Sequence, residues 1–308
     1  MSVLSTLAPA KINLGLFVGP VRDGDGRHEL VSVMQSVSLA DEVRLEPAAD
    51  GEGGADEVIC PGLPGPAEDN LAALALARFR EASGWRSPAV RVRVDKRIPL
   101  AAGLAGGSAD AAATLRLAAH AAGVDDRSLM LELAAQLGAD VSAQLSPGRW
   151  LAGGAGERLE GLPPPAGELG VLLLPFEEGL STARVYREAD RLAAPRSPAE
   201  LERLREALRN QLGGGSPLAG DERLRGNDLQ AAAISLCPAI GNALAEVSAA
   251  GADHAFVSGS GPTVVGLFCG PEATSALARA TTALASRHPR PIACTPVDER
   301  AGAVLADR

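Results

Sequence analysis

The sequence predicts an α+β protein with two domains. Its 308 residues, 46% of them hydrophobic, are enough for two cores of ordinary size. After Trp150 the composition changes to Gly153-Gly154-Ala155-Gly156 and then Pro163-Pro164-Pro165, which is typical of a joint between domains. We therefore expect one domain over residues 1–160 and a second over residues 161–308. In the second domain the main elements follow the order β-α-β-β-α-β, which is the order of a split βαβ sandwich.

The composition argues against several classes of partner and site. A net charge of -9 argues against nucleic acid, because binding to a phosphate backbone needs a clustered basic surface. No apolar run reaches the roughly 18 residues of a membrane helix and the N-terminus has no signal-peptide pattern, so we expect no membrane partner and a cytoplasmic location. The four cysteines lack the spacing of a zinc site and are expected to be reduced thiols: Cys60, Cys237, Cys269 and Cys294.

Residues 7–18 alternate in polarity and predict the first strand. Lys11 and Asn13 share one face, roughly 7 Å apart, opposite the apolar side chains of Ile12, Leu14, Leu16 and Val18. This polar face is either open to water or meets a ligand or partner, because burying a lysine and an asparagine alone is costly. A turn marked by Asp-Gly pairs follows, and His28 stands at its exit before the next apolar run.

The sequence from Lys96 to Asp110 is the candidate binding loop. Three glycines within five residues lie between a strand at residues 90–94 and a helix from Asp110 to Ala122. A helix start after glycines favours anions, but the chain has 35 glycines, so a plain turn and a phosphate cradle are both possible. The loop is neither a Walker A motif nor Gly-x-Gly-x-x-Gly, so positive charge for a phosphate must come from elsewhere. Asp110 would complement the helix dipole or meet the ligand.

Two further helices are predicted in the first domain, at residues 69–83 and 127–137. Asp140 follows the second of them directly after Gly138. A carboxylate just past a helix C-terminus faces the negative end of the dipole, which is mildly unfavourable and indicates another purpose.

The second domain has a denser series of elements. Between its two central strands, Ser258-Gly259-Ser260-Gly261-Pro262 predicts a tight hairpin, and composition alone favours a plain turn over a phosphate contact. The predicted strands cover 169–175, 254–258, 262–269 and 290–296, and the predicted helices cover 181–193, 199–212, 228–250 and 271–286.

Three segments in this order resemble the kinase superfamily of galactokinase, homoserine kinase, mevalonate kinase and phosphomevalonate kinase. They are Pro9-Ala10-Lys11-Ile12-Asn13-Leu14, the loop from Pro99 to Ser108, and Ser258-Gly259-Ser260-Gly261-Pro262-Thr263. Within the superfamily the chain is most similar to the branch that acts on a cytidine diphosphate-linked methylerythritol. That similarity rests on Gly26-Arg27-His28-Glu29-Leu30, Gly107-Ser108-Ala109-Asp110-Ala111-Ala112, Gly138-Ala139-Asp140-Val141 and Gly226-Asn227-Asp228-Leu229.

The resemblance implies a fold and a reaction. It implies a first domain shaped like domain 2 of ribosomal protein S5, a ferredoxin-like second domain, and a kinase that phosphorylates the 2-hydroxyl of its substrate in the non-mevalonate isoprenoid pathway. Magnesium is expected on the ATP phosphates, with Ser108 as a candidate ligand. The ATP loop implied by the resemblance is Pro99, Leu100, Ala101, Ala102, Gly103, Leu104, Ala105, Gly106, Gly107, Ser108 and Ala109.

The resemblance also implies roles for individual side chains. Asp140 matches the family's base, and Lys11 would hold the hydroxyl and offset the developing charge. Asn13 would orient the diol or the base, and His28 would recognise the pyrimidine. The segment that contains Thr182 and Tyr186 is expected near the cytidine. Tyr186 is then either a stacking face or plain core packing.

The chain departs from the family pattern at several positions. Arg27 stands where a tyrosine is usual, and its guanidinium could stack on a base or pair with phosphate. Ala105 replaces a glycine, which adds only a methyl group if its φ is negative. Ala109 replaces a serine, and Ser142 with Ala143 replaces a proline and an apolar residue, which would loosen the base. These departures leave two alternatives open: a related kinase with a different alcohol, or a nucleotide-binding protein with little catalysis. The protein is expected to be a monomer or a homodimer.

Overall fold

The computed structural model describes residues 2–48, 54–62, 70–217 and 220–306, and within them the chain forms two β-sheets covered by helices. The first sheet has seven strands, ordered β11-β1-β2-β4-β3, with β5 paired to β2 and β6 paired to β5. These are β1 (Leu4–Val21), β2 (His28–Pro47), β3 (Glu57–Ile59), β4 (Val90–Asp95), β5 (Arg149–Gly153), β6 (Arg158–Leu162) and β11 (Leu305–Ala306).

Strand β1 is covered on both faces over most of its length. Lys11 is 7% exposed and Asn13 is 4% exposed, so the face that carries them is not open to water. On the opposite face, Ile12 and Leu14 are buried in the apolar core. The expectation that Leu16 and Val18 share that face is wrong, because the strand pairing shifts between Asn13 and Gly15 and these two side chains belong to a separate cluster. Of the two alternatives that the sequence left, the covered polar face is the one observed.

The described part of the first domain contains four helices: α1 (Leu71–Ser83), α2 (Gly106–Ala122), α3 (Arg127–Leu137) and α4 (Ala139–Gln144). Helix α2 packs against β1 and β2, and its many alanines allow a close approach to the sheet. Helix α3 begins and ends at the predicted residues, 127 and 137. Helix α2 begins at Gly106 rather than Asp110, and the first predicted residue of α1, Asp69, lies outside the described residues.

The second sheet is antiparallel with the order β10-β7-β9-β8, which confirms the predicted β-α-β-β-α-β arrangement and the ferredoxin-like domain. Strand β7 is an unbroken apolar run because both faces are buried. Its side chains alternate between a core shared with β1 and a second core under two helices, α8 (Ala239–Ala249) and α9 (Ala273–Leu284). The four strands are β7 (Leu169–Leu174), β8 (His254–Val257), β9 (Val264–Cys269) and β10 (Ile292–Cys294).

Helices of the second domain follow the prediction with one exception. The single helix expected over 228–250 is wrong, because the chain breaks at Cys237 and Pro238 into two helices. Pro238 has no N–H to donate, and Cys237 leaves the helical region with φ -143°. The helices are α5 (Thr182–Leu192), α6 (Pro198–Leu212), α7 (Gln230–Leu236), α8 (Ala239–Ala249) and α9 (Ala273–Leu284).

The two sheets share one apolar core. Ile12 and Phe17 of the first sheet belong to the same buried cluster as Val171 and Val265 of the second. At the C-terminal end of the chain, β11 returns to the first sheet and pairs with β1. The boundary at residues 160/161 stays a prediction. None of the helices in the described residues is both long and apolar enough to cross a membrane.

Candidate active site

Lys11 and Asn13 are fixed by a chain of hydrogen bonds on the covered face of β1. The Lys11 Nζ donates to Asn13 Oδ1 at 2.8 Å, and Asn13 Nδ2 donates to Ser32 Oγ at 2.8 Å. Ser32 lies on β2 and donates in turn to the carbonyl of Gly15 at 2.8 Å. Each group has a partner, so burial of this polar row is tolerated and the ammonium is aimed in one direction. Sequence reasoning missed Ser32, although its polar side chain between Val31 and Val33 was a visible signal.

Asp140 lies opposite Lys11, with 3.5 Å between its Oδ2 and the Lys11 Nζ. The expectation that Asp140 faces the negative end of a helix dipole is wrong. A new short helix, α4, starts immediately after Gly138, so Asp140 stands in its first turn, where the dipole favours a carboxylate. Gly138 permits this restart with φ 151°, in a region that other residues rarely adopt. The Asp140 side chain is 34% exposed and so can be reached by a small molecule.

The glycine loop presents the N-terminus of α2 to the same space. The N-cap residue, Ala105, offers no side-chain acceptor, so the N–H groups of Gly106, Gly107 and Ser108 are left for a ligand. Ala105 has φ 57°, in the left-handed region, so the condition under which it would add only a methyl group is not met. The loop requires this conformation to turn from the strand into the helix, with or without a glycine.

The Ser258 hairpin holds the glycine loop from the second domain. Thr263 Oγ1 donates to the carbonyl of Ala102 at 2.7 Å. A Cβ on Gly103 would lie 2.6 Å from the carbonyl oxygen of Gly261, so the backbones of the loop and the hairpin are in close contact at these two glycines. The hairpin is therefore a turn, as its composition indicates, and also a wall of the site.

His28 and Tyr186 form the other end of the site. Their ring centroids are 5.1 Å apart and the planes are tilted by 32°. The His28 Nδ1 donates to the carbonyl of Gly19 at 2.8 Å, and its Nε2 lies 3.4 Å from Asp190. Burial, and to a lesser extent the charge of Asp140, raises the pKa of Tyr186 to about 12, so its phenol is neutral at physiological pH.

Lys11, Asp140 and Tyr186 line one cavity of 390 Å³ between the domains, together with parts of the glycine loop and the hairpin. His28 contacts Tyr186 but does not line this cavity. Thr182 also reaches it and is hydrogen-bonded to Ser260 at 3.0 Å. Larger cavities of 800 and 580 Å³ exist elsewhere, but neither contains a lysine beside a carboxylate. The lining residues named by the sequence are Lys11, Asn13, Gly103, Ala105, Ser108, Asp140, Thr182 and Tyr186, and those it missed include Leu16, Leu30, Ser32, Met34 and Leu229.

Some predicted site residues do not line the cavity. Arg27 has a side chain that is 54% exposed, and its Nε donates to Asp25 Oδ2 at 2.9 Å within the turn before His28. Three loop residues, Ala102, Leu104 and Ala109, are buried in the cores, whereas Leu100 is 42% exposed. These loop residues shape the backbone. Their side chains do not line the site.

A buried charge cluster supports the loop from behind. The Lys96 ammonium lies 2.5 Å from Asp41 and 2.7 Å from Asp110. Burial raises the pKa of Asp110 to about 7, against the opposing effect of Lys96. A Cβ on Gly106 would lie 3.2 Å from the Lys96 Nζ, so the ammonium sits directly under the helix start. Asp110 is thus an ion-pair partner, a role that its position in the helix did not reveal.

The oxygen donors of the cavity fit a magnesium ion carried by a nucleotide. Ser108 and Asp140 supply one hydroxyl and one carboxylate at the cavity wall. In the described part of the chain, no group of three or more histidine, cysteine or acidic side chains could hold a metal. Magnesium usually takes few protein ligands and keeps phosphates and water, which agrees with so small a donor set.

The chain is similar to known kinases in sequence and in structure. Family models for the N-terminal and C-terminal domains of GHMP kinases match residues 70–148 and 216–287. The 4-diphosphocytidyl-2-C-methyl-D-erythritol kinase of Anaeromyxobacter dehalogenans (strain 2CP-C) is 42% identical over 274 residues, covering 87% of this chain and 81% of the relative. The enzyme of the same name from Thermobifida fusca (strain YX) is 44% identical over 268 residues, with 83% of each chain covered.

Solved structures agree with these matches. A crystal structure of 4-(cytidine 5'-diphospho)-2C-methyl-D-erythritol kinase is 32% identical with a TM-score of 0.73, and the match covers 95% of this chain and 98% of that one. Homoserine kinase from Cytophaga hutchinsonii superposes with the same TM-score of 0.73 over 99% of this chain and 98% of that one. At 17% identity, the homoserine kinase supports the fold alone.

Proposed function

Because the chain belongs to the 4-diphosphocytidyl-2-C-methyl-D-erythritol kinase family of GHMP kinases, we propose that its interdomain cavity is where ATP phosphorylates the 2-hydroxyl of that cytidyl compound. The protein is a small-molecule kinase of isoprenoid precursor synthesis. The observation that carries the assignment of the site is the 3.5 Å pair of Lys11 and Asp140, which shares one cavity with the glycine loop and Tyr186.

The pair supports a simple transfer step. Asp140 accepts the proton of the 2-hydroxyl while that oxygen forms a bond to the γ-phosphorus. The bond from the γ-phosphorus to the β–γ bridging oxygen breaks, and ADP leaves with the electron pair. The Lys11 ammonium, held by Asn13, offsets the negative charge that develops on the attacking oxygen. The 2-hydroxyl is tertiary and crowded, so the fixed orientation of these side chains matters more than for a primary alcohol.

The two ends of the cavity hold the two substrates. The free N–H groups at the start of α2 suit the phosphates of ATP, and Ser108 is the loop side chain suited to the accompanying magnesium, which neutralises phosphate charge. At the other end, Tyr186 offers an aromatic face to the cytosine, with His28 beside it as the recognition group. Tyr186 thus takes the stacking role that the family gives to the residue at the position of Arg27.

The cysteines indicate the compartment in which the enzyme works. The four cysteines, at positions 60, 237, 269 and 294, are free thiols, which fits a reducing compartment such as the cytoplasm. We propose that the enzyme acts there as a monomer or homodimer, with domains at residues 1–160 and 161–308 and without a nucleic acid or membrane partner.

The variant Asp140→Asn tests the assignment of the base. We expect kcat to fall by roughly three orders of magnitude, because both proton abstraction and the charge partner of Lys11 are lost. ADP release gives the rate, and phosphorus NMR identifies the phosphorylated product. Wild-type kcat in a folded Asp140→Asn protein removes Asp140 from the mechanism.

A substrate panel tests the acceptor separately. Wild-type enzyme is expected to turn over the cytidyl compound faster than homoserine or a mevalonate-type alcohol. Faster turnover of either simple alcohol would favour a different acceptor, and ATP binding in calorimetry without turnover of any compound would favour a nucleotide-binding protein.

A further inference from the structure

Helix α4 carries Asp140 near its start and Gln144 at its end. Residues four apart lie on the same side of an α-helix, so Asp140 and Gln144 are presented together. The helix has only six residues, and so short a helix is not stable through its own hydrogen bonds. Contacts with the rest of the protein must therefore fix where Asp140 lies.

Gln144 makes two such contacts. Its side chain is buried, with the residue 2% exposed. The Nε2 donates to the carbonyl of Pro9 at 2.6 Å, and the Oε1 accepts from Ser36 Oγ at 3.2 Å. The amide nitrogen is thus hydrogen-bonded to β1 and the amide oxygen to β2.

Both anchors of Gln144 adjoin Lys11. Pro9 precedes Lys11 by two residues in β1, and Ser36 is the cross-strand partner of Lys11 in β2. The pairing of the two strands shifts register between Pro9 and Lys11. Such irregularities often redirect a side chain beside an active site, and here Gln144 bridges the two strands where the regular ladder is interrupted.

A second clamp holds the same end of α4. Arg116 of α2 donates from Nη1 to the main-chain carbonyl of Gln144 at 2.6 Å and from Nη2 to the carbonyl of Leu7 at 2.7 Å. The C-terminal end of α4 is therefore fastened to β1 through its main chain as well as through the Gln144 side chain.

We infer that Gln144 is a positioning residue, whose side-chain amide sets the separation of Asp140 from Lys11. The inference rests on the proposed function, because that separation affects the rate only if Asp140 and Lys11 act on the same hydroxyl. A displacement of about 1 Å in a catalytic group lowers the rate by roughly 100-fold. Loss of the amide removes the hydrogen bonds of the Gln144 side chain and leaves the last turn of α4 with the Arg116 clamp on its main chain. Asp140 is one helical turn away, so a looser last turn displaces it.

The variant Gln144→Leu removes both hydrogen bonds and keeps nearly the same volume. We expect kcat to fall by roughly 10- to 100-fold, with the KM for ATP within about twofold of wild type, because the hydrogen bonds of the Gln144 side chain go to Pro9 and Ser36 and not to the glycine loop. The matched control is Gln35→Leu. Gln35 is equally buried, at 1% exposed, and donates to the carbonyls of Ser36 and Val297, but it has no hydrogen bond to α4. Its kcat should stay within about threefold of wild type.

A double-mutant cycle separates positioning from general damage. In the Asp140→Asn background, Gln144→Leu should cause no further loss of kcat, since the group that it positions is already gone. A loss of the same factor in both backgrounds would show that Gln144 acts independently of Asp140 and would overturn the inference. Wild-type kcat in Gln144→Leu alone would also overturn it.

Ser36→Ala keeps the experiment decisive if Gln144→Leu does not fold. It removes one anchor and leaves the Pro9 anchor in place, so kcat should fall by a smaller factor of roughly three to ten, again only when Asp140 is present. Full activity of Asp140→Asn would refute the proposed base, and with it any action of Gln144 through Asp140. An inactive Asp140→Asn beside a fully active Gln144→Leu refutes only the role of Gln144.

Discussion

Substituting alanine for Gly103 tests whether the contact between the glycine loop and the hairpin matters for stability and ATP binding. Gly103 has φ 76°, and a Cβ there would lie 2.6 Å from the carbonyl oxygen of Gly261. The left-handed conformation costs about 1–2 kcal/mol in alanine. Overlap with a backbone atom that must move adds about 1–3 kcal/mol. We expect Gly103→Ala to lower the free energy of unfolding by about 3 kcal/mol, within the range of about 2–5 kcal/mol that the two contributions give together.

Two glycines at the ends of α2 separate these contributions. Gly123 has φ 65°, and a Cβ added to it would have no other atom within 4 Å, so Gly123→Ala reports the left-handed cost alone, about 1 kcal/mol. Gly107 lies in the helix without a positive φ, and a Cβ there would be 3.8 Å from the nearest atom, on Leu71. Gly107→Ala should therefore be neutral or slightly stabilising.

Urea unfolding of the three variants gives the stabilities, and steady-state kinetics gives the KM for ATP. We expect the KM to rise in Gly103→Ala, because the backbone shift displaces the N–H groups of α2 from the phosphates, and to stay near wild type in Gly123→Ala. Equal loss of stability in Gly103→Ala and Gly123→Ala would refute the contact with Gly261 as the dominant cost.

Three other predictions concern the cytidine end, the loop and the buried charges. Tyr186→Ala should raise the KM for the cytidyl substrate by roughly tenfold, because it removes the aromatic face that stacks on the cytosine. Tyr186→Phe, which keeps that face, and Arg27→Ala should have a KM near wild type. Equal effects of all three variants in steady-state kinetics would contradict this. Ala105→Gly should raise the free energy of unfolding by about 0.5–1 kcal/mol in urea, since it relieves a left-handed alanine; lower stability would argue against strain. The stability that protonated Asp110 contributes is present below about pH 4 and lost as pH rises through about 7, because its pKa is raised in the folded state. Asp110→Asn should remove that decline in the free energy of unfolding between pH 5 and pH 8. An unchanged decline would mean that other groups cause it.

Local patterns in the sequence were sufficient for most elements. The period of two in β1 placed Lys11 and Asn13 on one face, and the structure shows them hydrogen-bonded. Helix α3 has the predicted ends because the stop at Gly138 is a local signal. The break at Pro238 inside the predicted helix over 228–250 was also a local signal, and it was overlooked.

Conformation within the loops was harder to foresee. Whether Ala105 has positive or negative φ depends on how the loop must turn between β4 and α2, and that is set by the packing around it. In the same way, the direction of the Arg27 side chain follows from the nearby Asp25, which competes with any ligand for the guanidinium.

By itself, the sequence determined most of the helices, the strands of the second domain, the polar face of β1 and, through three ordered motifs, the family of the protein. It did not indicate β3, β5, β6 or β11. Only the tertiary structure decided the 3.5 Å distance between Lys11 and Asp140, the meeting of His28 with Tyr186, and the clamp at Gln144. The physical reason is the separation along the chain over which each kind of interaction acts. Periodicity, capping and turn preferences act between neighbours in the chain, whereas distances between distant residues depend on how the two sheets and their shared core pack.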